Sequence, residues 1–222
     1  MNDVPAATGR YGRLRPRPGL TPVSVATAGR RVIERDGLDA LTMRAVAAEL
    51  STAPASLYRH VADREALLLA ILEQVAEGLP VEVPGADPHE RLVGRFLAAH
   101  DYMRDHVWVL HVLITGEHVA EAAFPFSEAC LADFASGGLP AGRALGAFRV
   151  CWQLVIGELL DRHPVRAPRA FNQRQRAVAA LRPDRFPVMT RAMAEQHDEG
   201  EQHALFALAL SGLVASLLAR TP

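Results

Sequence analysis

Residues 144–160 (ALGAFRVCWQLVIGELL) and 204–219 (ALFALALSGLVASLLA) are apolar around most of a helical circumference. A helix that is hydrophobic on every side has to be buried on every side. In a chain of 222 residues two arrangements do this. The helices lie at the centre of a monomeric core, or they pack against their copies in a second subunit as an intermolecular four-helix bundle. The second fits the length better, and Ser211, Gly212, Ala215 and Ser216 permit close approach. The uncharged run Ala204 to Ala219 is 16 residues long. That is short of the ~20 needed to span a bilayer, so no membrane is expected.

The remaining pattern is also helical, and the fold class expected is all-α. Alanine and leucine dominate, β-branched runs are scarce, and no persuasive strand or internal repeat appears. Residues 1–20 carry three prolines, three glycines and Arg10, Arg13, Arg15 and Arg17 without a helical period. They read as a flexible basic arm, either a disordered leader or a strand of chain that reaches a minor groove. Thr21-Pro22 opens a helix that Gly37 stops, with Val25, Gly29, Val32 and Ile33 on its inner face. Thr42 caps a short second helix, Pro54 opens a third that runs to about His60, and Asp63 caps a longer one over 64–79. Pro80 to Pro88 is a linker. Further helices are expected over 88–105, 106–116, 118–136, 140–163, 171–181, 184–197 and 200–220. The division is a basic arm at 1–20, a three-helix head at 21–66 and a larger helical body at 67–222.

Charge follows the same division. Residues 1–64 hold ten arginines against six acidic groups, whereas 65–222 hold fourteen against nineteen. A positive end on an acidic body fits a head that meets phosphate. Cys130 and Cys151 have neither ligand spacing nor a disulfide framework, and the N-terminus has no apolar signal core. A reducing cytoplasm is the expected setting.

The second and third helices are separated by a three-residue turn, Ser51-Thr52-Ala53, which makes a helix-turn-helix. The run Gly37 to Leu72 resembles the DNA-binding domain of the tetracycline-repressor (TetR) family. The matching positions are Leu41, Thr42, Arg44, Ala47, Leu50, Leu57, Tyr58, His60, Val61, Arg64, Ala66 and Leu67, without a gap. The resemblance implies a dimeric regulator, in all expectation a repressor, that a small molecule releases from a palindromic operator on double-stranded DNA. It is strong over about 50 residues; the rest of the chain is similar only in helical layout and length.

Each position also has a physical role. Thr42 accepts its own helix's N–H while Arg44 faces a phosphate, and Arg64 is placed for a further backbone contact. A short recognition helix enters the major groove N-terminal end first. That presents Pro54, Ala55, Ser56, Tyr58, Arg59 and His60 and turns Leu57 and Val61 inward. Ser56 and Arg59 can hydrogen-bond base edges; Pro54 and Ala55 offer apolar contact to a thymine methyl. The resemblance assigns Tyr58 and His60 to phosphates. The chain departs from the family at Ser51, where glycine is usual, and at Ala53, which cannot cap the recognition helix as serine does. Gly29 and Arg30 replace alanine and leucine. An interior glycine costs ~1 kcal/mol relative to alanine, so a less rigid head is expected.

Residues 96–160 concentrate soft and aromatic side chains with a few polar ones. Tyr102, Met103, Trp108, His111, Phe126, Cys130, Phe134, Phe148, Trp152 and Glu158 are the candidate effector contacts. Aromatics at helical spacing are more often core than ligand contacts, and that is the alternative reading of the same residues. Glu158, an acid in an apolar helix, needs a partner. No histidine pair has the i, i+4 spacing of a metal-binding helix face, and neither metal nor cofactor is expected. Glu117-His118 with Cys130 would be the rudiment of an enzyme. With no Gly-rich phosphate loop, Gly-x-Ser-x-Gly or paired-carboxylate pattern, an enzyme is not expected. A helical interaction protein with an inert head is the third class.

Overall fold

A computed structural model describes residues 19–114, 118–162, 176–177, 180–195 and 199–219, and no strand occurs among them. The fold is a three-helix head followed by a larger helical body. The arm's arginines lie outside the described residues, as does the expected helix at 171–181 apart from 176–177, which are helical, and 180–181.

In the head, α1 (Pro22–Asp36) starts at a capping box. The Thr21 hydroxyl accepts from the Ser24 N–H at 3.1 Å, and the Ser24 hydroxyl accepts from the Thr21 N–H at 2.9 Å. Gly37 ends it at φ +88°, with its N–H on the Ile33 carbonyl. After a 3-10 turn, α2 (Met43–Glu49) is capped by Thr42, whose Oγ1 accepts from Ala45 N–H at 3.1 Å. Helix α3 (Pro54–Leu57) has Ala53 at its cap and no side-chain bond there. It is shorter than the expected run to His60. Tyr58 to His60 continue as turns, with His60 N–H on the Leu57 carbonyl at 2.8 Å. Asp63 then caps α4 (Arg64–Ala76) through the Ala66 N–H at 2.8 Å.

Val25, Ala28, Val32, Leu41, Val46, Leu57, Leu67 and Ile71 are completely buried and form the head's core. Gly29 is also buried there. A Cβ on it would fall 2.7 Å from Ile71 Cδ1 and 3.4 Å from Leu41 Cδ1 and Leu67 Cδ1. The glycine expected to loosen the head instead leaves the space that the Ile71 side chain of α4 fills against α1.

The body begins at α5 (Pro88–Arg104), capped by Asp87 on the Glu90 N–H at 2.9 Å. It continues through α6 (Val107–Leu113), α7 (Phe124–Ser136), α8 (Ala141–Arg162), α9 (Pro187–Ala194) and α10 (Glu199–Ala219). Helix α5 packs against α7, α8 and α10, with Phe96 set edge-on to Phe126 at 6.1 Å between ring centres. An ion-pair cluster crosses the same packing layer. Asp133 on α7 accepts from Arg91 Nε and Arg95 Nη2, both at 2.7 Å, and the Arg95 side chain is only 5% exposed.

The two apolar helices are not buried on every side within one chain. On α8, Leu145 and Val150 are exposed; on α10, Leu205 is 52% and Leu208 70% exposed. Phe206, Leu210 and Val214 of α10 do reach the core. The apolar stretch is longer than the charge-free run suggests. Gly200–Ala219, 20 residues at mean hydropathy 1.7, is long and apolar enough to cross a membrane by length and composition. Its inward face is instead occupied by α5 and α8.

Candidate DNA interface and effector cavity

Around the turn, Leu50 N–H bonds the Val46 carbonyl, Ser51 N–H the Ala48 carbonyl and Thr52 N–H the Ala47 carbonyl, at 3.1, 3.0 and 2.9 Å. This is a Schellman ending, which requires one residue in the left-handed region. Ser51 is that residue, at φ +51°. The conformation explains why glycine is usual here, and the serine adopts it against its own preference.

Arg44, Pro54, Ala55, Tyr58 and Arg59 are exposed, with Tyr58 at 55%, and Ser56 and His60 are half-buried beside them. Leu57 and Val61 face the core as expected. Thr42 is exposed, but its hydroxyl is engaged as the α2 cap. Arg64 is partly engaged inward. Its Nε donates to the Leu41 carbonyl at 2.8 Å, bracing the start of α2, and Nη1 lies 4.0 Å from Glu65. The one acid on α2, Glu49, is drawn to α1 by Arg35 at 2.9 Å and Arg31 at 3.9 Å. Its charge is therefore offset on the flank rather than presented beside Arg44.

A cavity of about 230 Å³ opens where head meets body. Leu72, Val75, Ala76 and Leu79, from α4 and the turn after it, form one wall. Val109 and Leu113 of α6, Phe124 and Ser127 of α7, and His118 to Ala120 complete most of the rest. Of the expected effector contacts, Met103, Phe126, Phe148 and Trp152 line this cavity. The other six do not. Tyr102 lies over Gly78 and donates to the Val75 carbonyl at 2.8 Å, fastening α5 to α4. Trp108 and His111 are on α6 outside the Val109–Leu113 face, with Trp108 Nε1 and His111 Nε2 buried without a hydrogen-bond partner among the described residues. Burial lowers the His111 pKa. Cys130 and Phe134 are fully buried core residues of α7. Burial pushes the Cys130 thiol to about 12 and the Cys151 thiol likewise, so neither is a ready nucleophile. Glu158 finds its partners in His100 at 2.5 Å and Arg162 at 3.0 Å.

The main polar group in the cavity wall is His118, which the aromatic-rich window did not single out. Its Nε2 pairs with Glu65 in the first turn of α4, and its Nδ1 is buried without a hydrogen-bond partner among the described residues. Glu73, farther along α4, accepts from the Glu121 and Ala122 N–H groups, each at 2.8 Å. Near the α5–α6 junction, Arg30 donates to His106 Nε2 at 3.2 Å. Burial first, and then this guanidinium, hold His106 below the usual histidine range. Helix α4 is thus tied to the body along its length while forming the floor of the head.

A helix-turn-helix head joined by a shared helix to a hollow helical body is the build of a one-component regulator. Residues 26–71 match the model of the bacterial regulatory proteins of the tetR family, and 85–221 match the tetracyclin repressor-like C-terminal domain. The chain belongs to the tetR family. It is 35% identical over 113 residues to the HTH-type transcriptional repressor DrrR1 of Streptomyces coeruleorubidus, covering 47% of this chain and 40% of that one. An HTH-type transcriptional regulator of Saccharopolyspora erythraea is 28% identical over 147 residues, covering 65% and 62%. The chain therefore spans less than two thirds of either relative. The crystal structure of the Streptomyces coelicolor TetR family protein ActR in complex with actinorhodin superposes with a TM-score of 0.72 at 25% identity, covering 92% of this chain and 99% of ActR.

Proposed function

We propose that the protein is a ligand-responsive, DNA-binding transcriptional regulator, a repressor that a small molecule releases from a palindromic operator. Residues 21–66 read DNA, and 67–222 sense the effector and dimerise. Arg44, Tyr58, His60 and Arg64, with the Thr42 helix start, hold the phosphates. Pro54, Ala55, Ser56 and Arg59 meet the bases. The chain acts as a homodimer through 144–160 and 204–219, supported by Leu145, Val150, Leu205 and Leu208, which stand exposed on those segments. Its place is the cytoplasm, with its DNA, and it is not an enzyme.

The observation that carries this reading is the double duty of α4, whose Leu72, Val75 and Ala76 wall the cavity while Arg64 braces the start of α2. A site for a drug-sized ligand measures about 300–1,000 Å³, so a cavity of about 230 Å³ has to expand to admit one. Expansion against α4 strains the contacts of Glu65 and Glu73 and displaces the head. Such coupling is worth about 1–3 kcal/mol in a typical allosteric protein. The ligand fitted by this wall is largely apolar and offers one polar group to His118. The actinorhodin complex of ActR supports a ligand in this fold.

Selection from random DNA should return a palindrome, and affinity for it should fall steeply with salt. Arg44→Ala and Tyr58→Ala should each weaken binding while the oligomeric state is unchanged. Salt-independent binding that neither substitution alters would refute the regulator and favour an interaction protein.

A further inference from the structure

We infer that His100, Asp101 and His203 form a binding site for a borderline divalent transition-metal ion of the zinc, cobalt or nickel type. One potential ligand atom from each of the three lies within 4.8 Å of the others. His100 and Asp101 are neighbours on α5, and His203 comes from α10, more than a hundred residues away. Their helices pack together, and the His100 and His203 rings sit 5.5 Å apart, centre to centre.

The arrangement around His100 is what favours an ion. Its Nε2 is 2.5 Å from Glu158 Oε2, and Glu158 is held in turn by Arg162 at 3.0 Å. A carboxylate there fixes the ring proton on Nε2 and leaves Nδ1 as a lone pair. That lone pair lies 3.3 Å from Asp101 Oδ1, another acceptor. The gap between these two atoms is one that an ion bonded to both would fill. The His100 side chain itself is only 2% exposed. Tetrahedral bonds of 2.0–2.1 Å put neighbouring ligand atoms about 3.3 Å apart, close to the observed Nδ1–Oδ1 span. A histidine ligand whose far nitrogen is fixed by a carboxylate is also the usual outer-sphere device of metal sites. Two imidazoles and one carboxylate suit zinc, cobalt or nickel rather than magnesium or calcium. Asp101 is half exposed, which leaves a route for the ion and a place for water as fourth ligand.

The test is titration of the full-length, tag-free, chelator-treated chain with Co2+, read by visible absorption. One equivalent per chain should give ligand-field bands that Zn2+ abolishes. Asp101→Asn and His203→Ala should each lower affinity at least tenfold, and Glu158→Gln by about 10–100-fold through the outer sphere. Zn2+ should raise the wild-type melting temperature, EDTA should reverse the rise, and Asp101→Asn should lack it. Asp101 is at the surface, so that variant keeps its fold even if His203→Ala does not. Absence of bands, or bands and melting shifts that Asp101→Asn leaves intact, would overturn the site.

Discussion

Ser51 carries more of the head's character than its size implies. At φ +51° it occupies the position that closes the α2 Schellman ending, a conformation costing a residue with a Cβ roughly 1–2 kcal/mol. Ser51→Gly relieves that strain but gives the unfolded chain extra entropy of about 0.5–1 kcal/mol. The net expectation is a gain of up to about 1 kcal/mol, seen as a higher denaturation midpoint with an unchanged slope. A loss of stability would mean that the serine side chain holds the turn. Gly29 is the reverse case. Helix propensity predicts that alanine is better there, but Ile71 Cδ1 occupies the space a Cβ would need. A local propensity is overridden by a contact with a residue 42 positions away.

Among the elements, α5 and α7 are joined by the most demanding polar contact. Arg95 is almost fully buried and its charge is met by Asp133, which also holds Arg91. Arg95 Nε and Nη1 already lack partners among the described residues. Asp133→Ala would leave two guanidiniums without their acceptor, one of them out of water. Breaking a buried pair in this way costs about 3–5 kcal/mol. Chemical denaturation should register a loss of that order, and a change below about 1 kcal/mol would mean that water reaches Arg95. Helix α4 shows a different economy. Its sequence advertises only a capped, largely apolar helix, yet its two ends serve the α2 start and the cavity wall.

For the whole molecule, the apolar outer faces of α8 and α10 decide the assembly. Leu208 is 70% exposed in one chain, so Leu208→Glu disturbs little within the subunit. If those faces pair between subunits, the substitution places two carboxylates in an apolar interface. Light scattering should then show the mass falling to that of one chain, with operator affinity lost while the helical content remains. An unchanged mass would place the dimer contact elsewhere.

Most helix starts were legible in the sequence because caps and stops are local chemistry, but the segment expected as one helix over 118–136 holds a 3-10 turn at Glu121–Ala123 and becomes α-helix only from Phe124. Thr21, Thr42, Asp63 and Asp87 sit at helix starts with their side chains on backbone N–H groups, where an oxygen two or three residues before the free donors can satisfy them. The periodic apolar positions of the head were legible for the same reason, and so was the exposure of Pro54, Ala55, Tyr58 and Arg59 beside the buried Leu57 and Val61. The end of α3 was not, because the extent of a four-residue helix depends on what its last turn packs against. Nor were the walls of the cavity. Met103, Phe126, Phe148 and Trp152 line it, whereas Phe134 and Cys130 on the same α7 fall in the core. A helical period shows that a residue faces inward but not whether a neighbour fills the space it faces. His118 against Glu65, Glu158 against His100, and His100 against His203 join residues of distant segments, and no spacing along the chain encodes them. Sequence alone determined where most of the helices begin and which short segment of the head stands exposed. Tertiary packing decided which side chains enclose a cavity and which charges meet, because both depend on the angles at which finished helices cross.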